Sequence, residues 1–332
     1  MKVQFRALSS ALLTIVSLGV FFGVRVAQAQ QAMYPSKPIH IVVPASPGGV
    51  TDILARALGQ RFTETWGYQS IVENKAGANN MIAAEYVAKS APDGYTLFLA
   101  PEVTFVVNPV IYSKLPYDAA NDFAPITGLV RINHALIANP ALPAASVKEL
   151  IELAKAKPGD LSYGSFGLGS SGHLNMEMLQ NMTGAQFNHV QYKGATPALI
   201  DVAAGHLAMM FISTGSAVPQ WKAGKVKWIA VGSAKRLPQY PNIPTVAESG
   251  LPGFEAVSWF GLFAVAKTSP EIIARIYVEV QRMFSDPAFT EKFVAPQLFE
   301  SIVSSPEQFA RFIKAEEQKW AKVIRTAKIK VD

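Results

Sequence analysis

Two glycine-rich turns, each between a predicted strand and a predicted helix, constrain the fold of this chain more than any other feature. The first turn spans residues 44–52 and follows the apolar run 39–43. The second turn spans residues 163–173 and leads into another amphipathic stretch. Glycine lets the backbone turn sharply, and the first N–H groups of a helix are unpaired and lie at the positive end of its dipole. Each turn is therefore suited to an anion, and two such turns predict a clamp.

The length of the chain and its alternating pattern predict an α/β protein with two lobes. A chain of 332 residues exceeds the usual size of one domain, and short β-rich runs alternate with helical patterns through most of it. This alternation favours a mainly parallel sheet in each lobe, with predicted strands at residues 39–43, 69–73, 95–99, 161–165, 188–192, 207–212 and 226–231. The pattern breaks near 128–133 and 250–257, which predicts two crossings between the lobes. We therefore expect residues 30–130 and 253–332 to form lobe 1, and residues 131–252 to form lobe 2.

The first 29 residues have the features of an export signal. Lys2 and Arg6 form a short basic region, residues 7–24 are largely apolar, and Ala27-Gln28-Ala29 fits a small-residue cleavage site. A retained membrane anchor is the alternative, because the apolar run approaches the length that spans a bilayer. Four serine and threonine residues dilute this run, which favours a signal peptide over 1–29 that is cleaved after Ala29. We expect a soluble protein in the periplasm.

Composition excludes several classes of function. The chain has no cysteine, which rules out disulfides, thiolate metal sites, cysteine nucleophiles and a lipidated N-terminal cysteine. The formal net charge is +6, and it falls to +3 without residues 1–29, which carry three basic residues and no acidic one. The basic residues are scattered and do not alternate with stacking aromatics, which argues against nucleic acid as a partner. A small positive excess suits a small anionic ligand.

The motifs give little support to catalysis or to a cofactor. Residues 167–172 match the G-x-G-x-x-G pattern of dinucleotide-binding turns, but no acidic residue follows about twenty positions later. No G-x-S-x-G nucleophile elbow is present, and none of the five histidines forms an H-E-x-x-H or H-x-x-x-H pair. We therefore expect neither a cofactor nor a metal.

Five side chains near the predicted loops have two interpretations each. His173 either donates to a ligand or holds the second turn from behind, and Lys193 either neutralises an anion or lies in solvent. Thr51 offers a hydroxyl, whereas a carboxylate at Asp52 would repel an anion and is expected to bond backbone N–H groups instead. Glu102 follows a predicted strand, so it either points to solvent or accepts a hydrogen bond from a hydroxyl, amine or cationic part of the ligand.

A series of short motifs covers nearly the whole chain after residue 33. They are, in order, Tyr34-Pro35-Ser36-Lys37-Pro38, Pro47-Gly48-Gly49 with Asp52, Asn74-Lys75 with Gly77-Ala78, Pro92-Asp93-Gly94-Tyr95-Thr96, Asn108-Pro109, Leu115-Pro116-Tyr117-Asp118, Tyr163-Gly164-Ser165 with Gly169-Ser170 and His173, Tyr192-Lys193-Gly194, Lys222-Ala223-Gly224-Lys225 and Pro244-Thr245 with Glu248-Ser249-Gly250. In this order they resemble the Bug family, the extracytoplasmic solute receptors of tripartite tricarboxylate transporters.

The resemblance implies a two-lobed periplasmic-binding-protein fold of type II, the Venus-flytrap arrangement, which closes on a small carboxylate. In that family the first loop holds the ligand carboxylate, partly through ordered water, and the second loop faces it from the other lobe. The positions that correspond here are Ser46, Gly48, Gly49 and Thr51 in the first loop, and Ser165, Gly167, Gly169, Ser170, Ser171 and His173 in the second. We also include Asp52, Glu102, Thr104, Lys193, Gly194 and Ser213 among the expected ligand-binding residues.

Two positions depart from the family pattern. Ala45 is small where many relatives carry an aromatic residue, and Pro101-Glu102 replaces a commoner small polar pair. The outer half of the ligand is therefore expected to differ from the usual one.

The substitution Gly169→Val is expected to block close approach of the ligand without unfolding the lobe.

We expect a monomeric receptor for a dicarboxylate or an aromatic carboxylate. The resemblance implies membrane permease subunits as partners, and a sensor kinase is a further candidate partner. The alternative is an exported enzyme that acts on small carboxylic acids, with Asp52 and His173 as its acid-base pair. Product formation from a panel of acids would distinguish this enzyme from a receptor.

Overall fold

The computed structural model describes residues 34–48, 50–192 and 194–330. The elements below belong to one compact unit, Lys37–Asp332. The predicted signal peptide, Gly49 and Lys193 lie outside the described residues.

The described residues form ten strands in one sheet. All seven strands predicted from the sequence are present, each within two residues of its predicted bounds. The strands are β1 (Ile39–Val43), β2 (Ser70–Asn74), β3 (Thr96–Pro101), β4 (Phe123–Ala138), β5 (Ser162–Ser165), β6 (Asn188–Gln191), β7 (Met209–Ser213), β8 (Lys227–Val231), β9 (Val257–Val265) and β10 (Phe299–Ser301). Their order is β2-β1-β3-β9-β4-β7-β5-β6, and β8 and β10 also pair with β4.

Helices connect most of the strands and complete the C-terminal part of the chain. Over the described ranges they are α1 (Val50–Trp66), α2 (Met81–Ala88), α3 (Asn108–Ile111), α4 (Val147–Ala156), α5 (Ser171–Thr183), α6 (Ala195–Ala204), α7 (Thr214–Lys222), α8 (Pro270–Phe284), α9 (Pro287–Phe293) and α10 (Pro306–Thr326). A π-helical turn, Val103–Val107, separates β3 from α3. None of the helices in the described part of the chain has the length and apolar character needed to cross a membrane.

Two groups of parallel strands form the outer parts of the sheet. In the first group β1 pairs in parallel with β2 and β3, and in the second β5 pairs in parallel with β6 and β7. The carboxyl ends of parallel strands lie at the same edge of a sheet, which is where open α/β proteins bind ligands. The loops after β1, β2 and β3 therefore share one edge, and the loops after β5, β6 and β7 share another.

Strand β4 connects the two groups. Its first part pairs with β9 as far as Asn133, which lies opposite Val257, and its next residue, His134, lies opposite Ser213 of β7. The change of partner falls at the junction of the two breaks near 128–133 and 250–257. The sequence did not predict β4 or β9 as strands, because every residue of β9 and most of β4 are buried and the period-two alternation is missing. The lobe boundaries at residues 130 and 252 stay predictions.

An aromatic cluster fixes helix α10 against β9. Phe105 stacks on Phe263 with ring centroids 4.0 Å apart, and Phe309 of α10 packs edge-on against Trp259 at 5.5 Å. Gly261 lies between these rings on β9. A Cβ atom there would be 2.8 Å from Phe309 Cε1 and 2.9 Å from Phe263 Cε2, so only glycine fits without a shift. The C-terminal helix thus closes over the strand that leads back from the second group.

The substitution Gly261→Ala tests this packing. Because the added methyl group overlaps the Phe309 ring, we expect a loss of about 1–3 kcal/mol of unfolding free energy. The measurement is urea denaturation of Gly261→Ala, Phe309→Leu and the double variant. The cost of Gly261→Ala should shrink in the Phe309→Leu background, since the smaller side chain leaves room. Strictly additive effects would show that Phe309 is not what the methyl group meets.

Candidate ligand-binding site

The carboxylate of Asp52 organises the first glycine turn. It accepts hydrogen bonds from the Gly48 N–H and from Arg56 Nε, each at 2.9 Å. Asn74 Nδ2, from the end of β2, donates to Asp52 Oδ1 at 2.9 Å and to the Ala45 carbonyl at 3.0 Å. The turn is therefore tied to the start of α1 and to the loop after β2. As expected from the sequence, Asp52 bonds a backbone N–H group.

These bonds also fix the charge of Asp52. The hydrogen bond from Arg56, with those from Gly48 and Asn74, lowers the pKa of Asp52 to about 2 although the side chain is buried. The carboxylate is ionised at neutral pH, and Arg56 balances its charge. Beside it, Ser46 and Gly48 are exposed, whereas Thr51 is buried in the first turn of α1.

The second glycine turn is held by its own hydroxyl groups. Ser170 Oγ donates to the Gly167 carbonyl at 2.6 Å and accepts from the His173 N–H at 3.4 Å, so it caps helix α5. Ser165, at the end of β5, is fully buried, and its hydroxyl lies 2.7 Å from His189 Nε2. Of the expected residues here, Ser165 and Ser170 thus shape the loop.

His173 holds this turn from behind. Its Nδ1 accepts a hydrogen bond from the Gly169 N–H at 3.1 Å, and its ring stacks on His189 with centroids 4.3 Å apart. Burial, with a smaller contribution from His189, lowers the pKa of His173 to about 3. The ring is therefore neutral, as an acceptor of an N–H must be. Its Nε2 faces Glu177 at 3.6 Å rather than the loop.

Gly169 brings the second turn against the segment that follows β3. Its φ is +74°, and a Cβ atom would lie 2.7 Å from Ile111 Cδ1 of α3. Val at this position would strain the backbone and require the Ile111 side chain to move, so Gly169→Val should also cost stability. That the variant leaves the lobe folded stays a prediction. Asn79, in the loop after β2, donates to Asn108 Oδ1 of α3 at 2.7 Å. The segment from Asn74 to Asn79 thus contacts the first turn at one end and α3 at the other. Helix α3 is also the element against which the second turn packs.

Glu102 is buried at the end of β3, with only 3% of its surface exposed. It accepts a hydrogen bond from the Trp259 N–H at 3.2 Å and is also hydrogen-bonded by the Ser258 side chain. The expectation that it points to solvent is wrong, because β9 covers this edge, and sequence reasoning did not predict β9. Burial raises the pKa of Glu102 to about 7. Thr104, one turn further on, is fully buried, and its hydroxyl has no hydrogen-bond partner.

The sheet brings the candidate residues to the two edges that β4 joins. The first turn, Glu102 and Thr104 follow β1 and β3, whereas the second turn, Gly194 and Ser213 lie at the ends of β5, β6 and β7. Gly194 precedes α6 directly, and the Ser213 hydroxyl donates to Ser216 at 2.8 Å. Gly49 and Lys193 lie outside the described residues.

Several buried polar atoms without a partner collect near these edges. They are Thr104 Oγ1, Asn133 Oδ1, Asn175 Oδ1, Thr214 Oγ1 and Trp259 Nε1. Ser70 Oγ and Arg131 Nε are also buried without a partner. Buried polar groups in folded proteins are nearly always paired, so each of these atoms needs an explanation. Sequence reasoning missed Asn133, Asn175, Thr214 and His134, which contacts Asn175. The one available signal was a histidine in an otherwise apolar run. Among the described residues, no three histidine, aspartate or glutamate side chains are grouped as a metal site requires.

Comparison with known proteins places this geometry in a family. The model of the tripartite tricarboxylate transporter family receptor matches residues 54–329. Protein BugT of Bordetella pertussis is 34% identical over 293 residues, which cover 88% of this chain and 90% of BugT.

Solved structures with the same fold support the same family assignment. The structure of R. palustris Rpa4515 with adipate is 36% identical, with a TM-score of 0.80, over 89% of this chain and 98% of that one. MatC from Rhodopseudomonas palustris with bound malate is 28% identical, with a TM-score of 0.75, over 88% and 100%. The two-lobed periplasmic-binding-protein fold is thereby confirmed. The chain belongs to the receptor family of the tripartite tricarboxylate transporters, to which the Bug proteins also belong.

Proposed function

We propose that this protein is a periplasmic receptor that binds a small dicarboxylate between the two sheet edges and delivers it to a tripartite tricarboxylate transporter permease. The observation that carries the proposal is the pair of helix N-termini, α1 and α5, at two edges that also hold unpartnered buried hydroxyl groups. Such positions favour an anion through N–H groups and the helix dipole. Relatives solved with adipate and with malate, both dicarboxylates, support the same ligand class.

The free hydrogen-bond donors match a carboxylate at each end. In α5, Ser170 caps the third N–H group, and the N–H groups of Ser171 and Gly172 have no carbonyl one turn earlier to accept them. In α1, Asp52 takes the Gly48 N–H and leaves the exposed Ser46 hydroxyl at the turn. Charge-assisted hydrogen bonds of this kind contribute roughly 1.5–3 kcal/mol each. Each edge therefore binds one carboxylate, and closure of the lobes completes the site.

The side chains that an enzyme would need are used for structure. Asp52 and His173, the acid-base pair of the alternative, bond loop backbone in different halves of the sheet. Their pKa values, about 2 for the hydrogen-bonded carboxylate and about 3 for the buried imidazole, lie far from the neutral range that suits a general acid or base. The arrangement thus favours binding without turnover.

Family membership also supports the remaining parts of the proposal. We infer that the protein works as a monomer, that residues 1–29 direct its export, and that permease subunits recognise the loaded form. A sensor kinase is a second candidate partner for that form. Aromatic carboxylates are a second candidate class of ligand, because Ala45 leaves more space beside the first turn than an aromatic residue would.

Thermal unfolding in the presence of carboxylates tests the receptor proposal. A ligand at 100 times its dissociation constant adds about 2.7 kcal/mol, which corresponds to a rise of about 5 °C for a chain of this size. The panel is malate, adipate, citrate, glutamate and benzoate, and adipamide is the uncharged control. We expect a shift with at least one dicarboxylate and none with adipamide. If no carboxylate raises the unfolding temperature, the proposal fails.

The variant Thr104→Val tests whether the first edge contacts the ligand. The Thr104 hydroxyl has no protein partner, so its loss should leave the unfolding free energy unchanged or raised, while carboxylate affinity falls about 10-fold. The matched control is Thr127→Val at an equally buried threonine. Its hydroxyl donates to Ser304 O at 2.8 Å and accepts from Ser304 N at 3.1 Å. Thr127→Val should lower stability by about 1–3 kcal/mol without changing affinity. The reverse pattern, measured by calorimetry and urea denaturation, would remove Thr104 from the site.

The variant Glu102→Gln tests the structural role assigned to Glu102. The folded state raises the pKa of Glu102 from 4.5 to about 7, so the wild type loses stability as pH rises through that window. The variant has no such loss, and its stability relative to wild type should rise by about 3 kcal/mol between pH 4 and pH 8. Adipate affinity should change less than about threefold, the scale of a lost neutral contact. Glu152→Gln, on an exposed side chain, is the control. A large loss of affinity with an unchanged pH profile would mean that Glu102 touches the ligand.

A further inference from the structure

A buried polar cluster around His134 lies beside the second turn. His134, in β4, is 3% exposed, and Asn175, in α5, is fully buried. The amide nitrogen of Asn175 lies 3.1 Å from His134 Nδ1, and His134 Nε2 lies 3.5 Å from the Ser171 hydroxyl. Ser171 and Asn175 are four residues apart, so both face the imidazole from the same side of α5. The three side chains thus form a chain from the core of the second lobe to its edge.

The donors and acceptors of these three side chains give their hydrogen bonds a single direction. An amide nitrogen only donates, so His134 Nδ1 accepts and carries no proton. Burial lowers the pKa of His134 to about 4 and outweighs a hydrogen bond with the Ala256 backbone that raises it, so the ring is neutral. With Nδ1 accepting from Asn175, the single proton of the ring is on Nε2. That N–H points at the Ser171 oxygen. The Ser171 hydroxyl accepts this hydrogen bond from His134 and keeps its own O–H to donate elsewhere.

Ser171 is the member of the chain that reaches the edge. It is the first residue of α5, directly after the Ser170 cap, and 9% of its surface is exposed. Its contact with His134 is long. Consecutive hydrogen bonds strengthen one another when an anion accepts the last hydrogen bond of the series. A carboxylate oxygen at Ser171 would therefore shorten the contact with His134.

We propose that Asn175 and His134 are positioning residues that direct the Ser171 hydroxyl proton toward the ligand. The second edge then favours a carboxylate oxygen over an ammonium or amide N–H, because the hydroxyl proton would face a donor placed there. The inference rests on the proposed function and adds to it the selectivity of one end of the site.

Variants at Asn175 test this direction, with calorimetric dissociation constants for adipate and malate as the readout. The carboxylate of Asn175→Asp would accept a hydrogen bond from Nδ1–H and reverse the direction of the series, and Asn175→Leu would remove the contact. We expect about 10-fold or greater loss of affinity for Asn175→Asp and Ser171→Ala, the scale of one charge-assisted hydrogen bond, and a smaller loss for Asn175→Leu. Asn181→Asp and Asn181→Leu, on the exposed side of the same helix, are matched controls and should bind like wild type.

A second ligand tests the selectivity. Replacing one carboxylate of adipate by an ammonium group gives 6-aminohexanoate. Wild type should bind adipate at least about 10-fold more tightly than this analogue, and Asn175→Asp should narrow the ratio. An unchanged ratio in Asn175→Asp would overturn the inference.

Nitrogen NMR of His134 in the wild-type protein keeps the test independent of whether the variants fold. The spectrum of His134→Gln assigns the signals. We expect the Nε2–H form with and without adipate, and the Nδ1–H form would overturn the inference. If wild type binds no carboxylate, the proposed function fails and this inference fails with it. If wild type binds and Ser171→Ala weakens binding, but the Asn175 variants behave like the Asn181 controls, only the inference fails.

Discussion

The change of partner along β4 is the constraint on which the rest of the structure depends. One continuous strand pairs with β9 up to Asn133 and with β7 from His134 onward, so the two groups of parallel strands are joined within a single sheet. Parallel strands present their carboxyl ends at one edge, and here both edges end beside the same short stretch of β4. Glu102 is covered by Trp259 on one side of that junction, and Ser213 lies opposite His134 on the other. The loops of both lobes can therefore serve one ligand.

The titratable side chains near the two glycine turns position neutral donors. Asp52 gathers the Gly48 N–H and the Asn74 amide, and His173 supports the Gly169 N–H. In each case the charged or basic group is itself satisfied, which leaves the first N–H groups of α5 and the exposed Ser46 hydroxyl for the proposed ligand. Rigid neutral donors suit an anion that must also be released, because a lysine or arginine at the same place would hold it more strongly. This arrangement fits a receptor that hands its ligand on.

Sequence patterns predicted the outer strands of the sheet well and the inner ones poorly. β1 and β5 lead into glycine turns whose chemistry is local, so their bounds could be read directly. β9 is buried along its whole length, and it lacks the alternation that identifies a strand. The missing strand explains the error at Glu102, since an acidic residue after β3 looks exposed unless β9 is known to cover it. His134 was missed for a related reason: its partner Asn175 is distant in sequence, and only the packing of α5 on β5 and β7 brings the two side chains together.

The unpartnered buried atoms would couple ligand binding to closure in the proposed receptor. A buried hydroxyl or amide oxygen without a partner costs about 1–3 kcal/mol, and Thr104 and Thr214 lie in opposite halves of the sheet, each without one. A ligand that bonds the unpaired groups in both halves removes the free-energy cost of both. It therefore stabilises the closed arrangement more than its contacts with either half alone would do. A monocarboxylate reaches one edge and leaves the other cost in place. Selectivity for a molecule with polar groups at both ends then follows from the unpaired groups themselves.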